Sequence, residues 1–176
     1  MKLETRYGLH RGVLSVMIVA LILTLAAVLG SGTPATAADV VVIDLPAGLA
    51  CDFGLRVKIS GGTQVYKEFV DKNGNVVRSL SAGKGSDLLF MNLETGATFS
   101  LKANGSVSHI TYNPDGSYTQ TTTGHNVLIF FPTDVPAGPS TTQYVGRVVF
   151  TVDLNQVFTL QEVSGKSTDI CAALSE

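Results

Sequence analysis

A chain of 176 residues with 45% hydrophobic and only 15% charged side chains has too much apolar surface and too little charge to remain a solvated, disordered coil. Its formal net charge of −2 exerts no pull on nucleic-acid phosphates or anionic lipid, which excludes a basic nucleic-acid binder. The length suits one domain once a targeting segment is set aside.

The chain opens on such a segment. Lys2, Arg6 and Arg11 give a positive start, and Val13 to Leu29 then run apolar except for the hydroxyls of Ser15 and Thr24. Gly30, Ser31, Gly32 and Pro34 break a helix, and Ala35-Thr36-Ala37 offers the small side chains a signal peptidase requires. This pattern predicts a signal peptide over 1–37 and a single secreted domain over 38–176. A retained anchor is the alternative, because the apolar run overlaps in length with a short membrane span. Lipidation of Cys51 is disfavoured by Gly48 where leucine is required, three residues before it. The leader carries off Lys2, Arg6, Arg11 and Glu4, so the remaining domain is more acidic than the whole chain. It is expected outside the cell, free of the membrane after cleavage and without a nucleic-acid partner.

The 2 cysteines, Cys51 and Cys171, both lie in the exported part, and an even count in an oxidising compartment predicts a disulfide. It closes a loop of nearly the whole domain, worth about 4 to 5 kcal/mol of chain entropy. Neither C-x-x-C spacing nor a nearby histidine accompanies the pair, so a redox or metal role is disfavoured and no metal is expected.

Strands follow in chain order. After a first strand at Val40 to Ile43, Phe53, Leu55, Val57 and Ile59 alternate with Gly54, Arg56, Lys58 and Ser60, the period of a half-buried strand. Ala97 to Ala103 and Tyr144 to Asp153 alternate likewise. Asn73-Gly74, Asn104-Gly105 and Asn113-Pro114-Asp115-Gly116 supply tight hairpin turns between them. A Pro-rich loop from Pro132 to Pro139 precedes one last hairpin, and only Asp169 to Leu174 suits a helical turn. The expectation is an all-β fold of about eight to ten strands, an antiparallel meander closing as a β-barrel, with a β-sandwich as the alternative.

Leu45-Pro46-Ala47-Gly48 leading to Cys51, Phe69 to Arg78, Asn113 to Gly116, Gly146 to Phe150 and Asp169-Ile170-Cys171 together resemble a group of exported proteins of high-GC Gram-positive (actinobacterial) bacteria. The resemblance spans nearly all of the exported chain. It implies secretion and a disulfide-linked β domain, and it brings no activity with it.

Chemistry-bearing residues are few. If Tyr112 pairs with Ser117 across the Asn113 turn, His109 lies opposite Gln120 with Thr111 and Tyr118 on the same face, a candidate ligand-binding or acid–base cluster. His125 reads as a solvated strand-end histidine. No G-x-S-x-G elbow is present, so no catalytic residue is assigned. Asp71-Lys72-Asn73-Gly74-Asn75 spaces oxygen donors as calcium loops do, yet Val76 and Ala82 stand where glycine and glutamate belong, which makes it a hairpin turn. Thr119, Thr121 and Thr123 share one strand face, and one such strand makes no array. Leu88 to Met91 and Val127 to Phe131 are apolar without interruption. Phe90, Met91, Phe130 and Phe131 are therefore candidates for an apolar interface between copies, unless the loop from Pro132 to Thr142 covers them.

Function is expected to be that of a secreted, noncatalytic β-barrel binding a small apolar or amphiphilic ligand, without a cofactor. The alternative is a structural or cell-envelope interaction protein that self-associates into a homo-oligomer. A barrel enzyme using His and Tyr as acid and base is the lesser alternative.

Overall fold

The computed structural model describes residues Val40 to Glu176; the expected signal peptide lies outside the described residues. The strands are β1 (Val41–Leu45), β2 (Leu55–Ser60), β3 (Thr63–Val70), β4 (Val76–Lys84), β5 (Asp87–Asn92), β6 (Thr98–Leu101), β7 (Gly105–Tyr112), β8 (Tyr118–Phe130), β9 (Ser140–Val152) and β10 (Phe158–Asp169). A short helix, α1 (Ile170–Ala173), follows, and the carboxylate of Asp169 caps its first turn by accepting from the Ala172 N–H at 3.0 Å.

All pairing between the strands is antiparallel, in two sheets: β1-β2-β5-β6 and β10-β9-β8-β7-β4-β3. The expected barrel is not formed. β6 does not pair with β8, and β3 and β10 remain edges of the larger sheet, so the architecture is that of a β-sandwich. The meander itself is as expected, but three of its long strands are each broken midway. Gly61-Gly62 separates β2 from β3, Gly85-Ser86 separates β4 from β5, and Lys102 to Asn104 separate β6 from β7. Each break passes the chain from one sheet to the other, and the ring stays open because the edge strands β1 and β6 of one sheet pair with neither edge strand, β3 or β10, of the other.

The same corner continues as a crease through the larger sheet. Gly83, Ser106, Gly124, Gly146 and Gly165 form one cross-strand row, and its four glycines have φ of 150°, 93°, 149° and 101°. A Cβ at Gly83, Gly124, Gly146 or Gly165 would sit 2.1 to 2.3 Å from a carbonyl oxygen of the next strand, closer than any real side chain comes. Only glycine allows this approach. The crease turns the sheet on itself. Leu128 pairs with Thr142, yet it packs on the buried cluster of Val148, Phe150 and Val152. A flat strand would run about 20 Å from Thr142 to Val148.

In the smaller sheet the alternation behaves as the sequence implies. Leu45, Leu55, Val57 and Phe90 are buried, while Asp44 and Arg56 face outward and form a two-pronged ion pair with both bonds at 2.7 Å. The ends of the two sheets are tied by the Cys51–Cys171 disulfide, whose Cα atoms are 5.6 Å apart. Around it, Thr141 donates to the Ala50 carbonyl at 2.9 Å and the Asn92 amide donates to the Leu174 carbonyl at 3.1 Å. Cys51, Ala50, Ile170 and Leu174 are fully buried.

The Pro-rich loop, considered as a cover for the apolar strands, guards an edge. Val135 forms a parallel bridge with Thr159, its N–H bonding the Phe158 carbonyl and its carbonyl accepting from Leu160. Asp134, only 3% exposed, holds this segment by accepting from the Phe131 N–H at 2.7 Å and the Phe158 N–H at 3.0 Å. Asp134→Ala leaves two inward N–H groups without partners, so urea denaturation is expected to show a loss of about 2 to 4 kcal/mol. Asp134→Asn, which keeps one acceptor, loses less.

The hairpin turns share a device. The Asp71 carboxylate accepts from the N–H groups of Asn73 and Asn75 and from the Asn75 amide, and Asp115 accepts from the N–H and hydroxyl of Ser117. These bonds close both loops as Asx turns. They also hold the carboxyls below their ordinary value of 3.8, the Asn75 backbone N–H acting most strongly on Asp71 and the Ser117 hydroxyl on Asp115. Asp44 is lowered chiefly by its hydrogen bond from Arg56. A carboxyl whose folded pKa is depressed contributes stability above its unfolded pKa, and the contribution fades as pH falls through the folded value. The melting temperature is therefore expected to hold down to about pH 5 and to fall below about pH 4. An Asp71→Asn variant is expected to show a smaller acid-induced drop.

Candidate functional site

Below the crease, β3, β4, β7, β8, β9 and β10 lie side by side, and the registers sort their side chains onto two faces. One face holds the row Glu68–Ser79–Ile110–Gln120–Phe150–Leu160 and, two residues along, Tyr66–Ser81–Ser108–Thr122–Val148–Val163. Apart from Ile110, it changes from the carboxylate, phenol and hydroxyl groups of β3, β4 and β7 to aliphatic and aromatic groups on β9 and β10. The change falls at β8.

The apolar half is already occupied: Tyr118, Leu128, Tyr144, Phe158 and Leu160 pack over Val148, Phe150 and Val152, and Phe150 stacks on Phe158 at 5.3 Å. The polar half opens only at the β3 edge, since Ser79 and Ser81 on β4 are 1% and 9% exposed. Tyr66 is 47% exposed and its hydroxyl donates to Glu68 at 2.9 Å. The Ser79 and Tyr112 hydroxyls lie 3.4 Å apart, and the rings of Tyr112 and Tyr118 meet at 6.0 Å. Ser81 donates to Gln64 and the Gln120 amide donates to Ser108. Desolvation among these neighbours pushes the Tyr66 hydroxyl up to about 12, with Ser79 opposing and Glu68 adding to the shift. Burial, and then Tyr112, raises Tyr118.

Three buried polar atoms along β8 have no partner: Gln120 Oε1, Thr122 Oγ1 and, across Gly124, Asn126 Nδ2. Gln120 and Thr122 lie on this face by register, and Thr122 is 3% exposed. A buried polar atom left unpaired costs about 1 to 3 kcal/mol, a cost relieved by a water or a ligand hydroxyl that reaches it.

The opposite face carries Lys67, Leu80, His109, Thr121, Val149 and Glu162 in one row and Phe69, Arg78, Thr111, Thr119, Thr151 and Thr159 in another. Arg78 lies 4.4 Å and Lys67 5.1 Å from the centre of the Phe69 ring, and Arg147 pairs with Glu162. The threonines of β8 do have neighbours: Thr119 is flanked by Thr111 and Thr151, with Thr159 beyond.

The cluster expected from His109, Thr111, Tyr118 and Gln120 is divided by the sheet. Tyr118 and Gln120 are on the tyrosine face, and His109 and Thr111 are on the reverse. The hairpin loop is one residue longer than expected, because Tyr112 pairs with Tyr118 and the Asn113 N–H bonds the Ser117 carbonyl. Gln120 therefore opposes Ile110. A one-residue slip moves every side chain of one strand to the other face relative to its partner, and it separates the proposed acid–base pair of His109 and Tyr118. His125 is outside the cluster, with its Nε2 3.2 Å from the Asn104 amide.

The expected interface residues also part. Phe90 is 1% and Phe130 2% exposed, which makes both of them core. Met91 lies half-buried on the outer face of the smaller sheet, and Phe131 is half-buried beside Asp134. Exposed aliphatic side chains lie elsewhere, among them Val65 and Val70 on edge strand β3, with 74% and 59% exposure. Sequence reasoning did not single out Tyr66 or Tyr112, because their common face depends on pairing between β3, β4 and β7.

A surface cavity of about 270 Å³ lies at the sheet-to-sheet corner, lined by Ser60, Gly61, Gly62, Lys84, Asp87 and Ala103. Among the described residues no group of three or more His, Cys, Asp or Glu side chains is placed to hold a metal ion. No helix among them is long and apolar enough to cross a membrane. No family model, curated protein or solved structure matches the chain.

Proposed function

We propose that this is a secreted, noncatalytic recognition module that holds an amphiphilic ligand on the tyrosine face of its larger sheet. The observation that supports this reading is the half-exposed Tyr66 on a face that also carries the Tyr112–Tyr118 pair, with the unpartnered Gln120 Oε1 and Thr122 Oγ1 buried beside them. Aromatic rings offer contact area to C–H surfaces while unsatisfied polar groups fix orientation, the usual division of labour in ligand sites. The leader-like start of the chain and the buried Cys51–Cys171 bridge support export.

Native mass spectrometry on protein exported through its own leader tests this reading. The expected species begins at Ala38, is lighter by two hydrogens than the reduced chain, and carries a noncovalent adduct that Tyr66→Ala removes. An unprocessed mass, or an adduct indifferent to Tyr66, refutes it.

A second reading, self-association, is favoured by Val65 and Val70 on the open edge of β3. Open strand edges pair readily with other chains. A sedimentation equilibrium shifted toward monomer by Val65→Lys supports this reading, and a monomeric parent protein excludes it.

A further inference from the structure

We propose that Asn104 is a self-modifying site, where the Gly105 nitrogen closes on the asparagine side chain to form a succinimide that water opens to aspartate and isoaspartate. The site is separate from the tyrosine face and does not depend on a ligand there.

Of the asparagines in the chain, Asn73 and Asn104 precede glycine, whose lack of a Cβ lets its nitrogen approach a neighbouring group closely. The fold treats the two differently. In the Asn73 turn the Gly74 N–H donates to the Asp71 carbonyl at 3.1 Å, so that nitrogen is engaged away from the asparagine side chain. At Asn104 the Gly105 N–H donates to Asn104 Oδ1 itself at 2.9 Å, which places the attacking nitrogen beside the carboxamide it must reach.

Two contacts hold this arrangement. The Asn104 carbonyl accepts from the Gly85 N–H at 2.8 Å, which fixes the backbone at the corner between the sheets. The Asn104 Nδ2 donates to His125 Nε2 at 3.2 Å, which fixes the side chain. Ser106 pairs with Gly124 across the crease, and this sets His125 against the start of β7. His125 is therefore a positioning residue. Asn104 and Gly105 are both exposed, so solvent base and water reach them.

In the first step the Gly105 nitrogen gives its proton to solvent and bonds to Asn104 Cγ. The Cγ–Nδ2 bond breaks, and the departing nitrogen takes up protons from solvent and leaves as ammonia. Water then adds to either carbonyl of the imide, and nothing is oxidised or reduced. The product is a carboxylate in place of a neutral amide facing His125, and the isoaspartyl form lengthens the main chain at the corner that Gly85 holds.

The test is peptide mapping by mass spectrometry of the disulfide-intact exported protein during incubation in neutral buffer, with Asn73 as the internal reference. Asn104 is expected to lose its amide about tenfold faster than Asn73, with isoaspartate among the products. The lead is expected to vanish in urea after reduction of the disulfide. His125→Leu is expected to slow Asn104 about two- to tenfold and to leave Asn73 unchanged, whereas His125→Gln, which offers an amide oxygen to the same N–H, keeps most of the rate. Melting of both variants shows that the fold is intact, and the Asn73 rate reports any general opening. Equal rates at the two sites in the folded protein overturn the proposal, as does a lead that persists in urea. A rate indifferent to His125→Leu, or a product without isoaspartate, overturns it as well.

Discussion

Gly146→Ala is expected to destabilise the fold by about 3 to 5 kcal/mol, far beyond the usual effect of adding one methyl group. The new Cβ would lie 2.1 Å from the Ser164 carbonyl oxygen and 3.0 Å from the Gly165 Cα. Neither neighbour is the end of a flexible side chain, so β10 must move away from β9. That movement strains the ladder bonds on both sides of the crease. The residue must also keep φ of 149°, where an L side chain is strained. Gly74→Ala is the control: φ there is 85°, but nothing lies within 4 Å of the added Cβ, and its cost is expected to be about 1 kcal/mol. Urea denaturation of the two variants measures the difference. Equal losses mean that the crease does not require glycine.

Removing the disulfide is the second large effect. The Cys51→Ala/Cys171→Ala double variant is expected to lose about 4 to 5 kcal/mol, because the unfolded chain regains the freedom of a loop spanning a sequence separation of 120. A small domain has about 5 to 15 kcal/mol of net stability, so the variant is left marginal. The loss is expected to appear first at the C-terminus. Ile170 and Leu174 pack there, and Thr141 and Asn92 bond the carbonyls of Ala50 and Leu174. Hydrogen exchange of the α1 and Thr141 amides should rise before that of β7 and β8. Stability within about 1 kcal/mol of the parent removes the clasp from the account.

Much of this molecule is legible in single segments. Alternation over Leu55 to Ser60 assigns Leu55 and Val57 to the interior and Arg56 and Lys58 to the outside, as found. The turns at Asn73-Gly74 and Asn113 to Gly116 are built from local bonds to Asp71 and Asp115, so they are visible where they stand. Leu88 to Met91 and Val127 to Phe131 misled because an uninterrupted apolar run does not say which residue faces in. The register puts Phe90 into the core and Met91 on the outer face.

The candidate site was legible only in part. Tyr118 and Gln120 were singled out, but their partners depended on a loop in which Tyr112 meets Tyr118 rather than Ser117. An error of one residue there exchanged Ile110 for His109 as the neighbour of Gln120. Tyr66 and Ser79 reach the site from strands some forty residues earlier in the chain, across ladders that no local pattern predicts.

The sequence by itself determined the all-β class, the positions of most turns and the pairing of Cys51 with Cys171, because period-two alternation, turn chemistry and a lone cysteine pair are local or exhaustive signals. Only the tertiary structure decided that the meander becomes two sheets, that Gly83, Gly124, Gly146 and Gly165 align into one crease, and that tyrosines from β3, β7 and β8 share a face. Those outcomes depend on register between distant strands, and register is set by cooperative hydrogen bonding across the whole sheet.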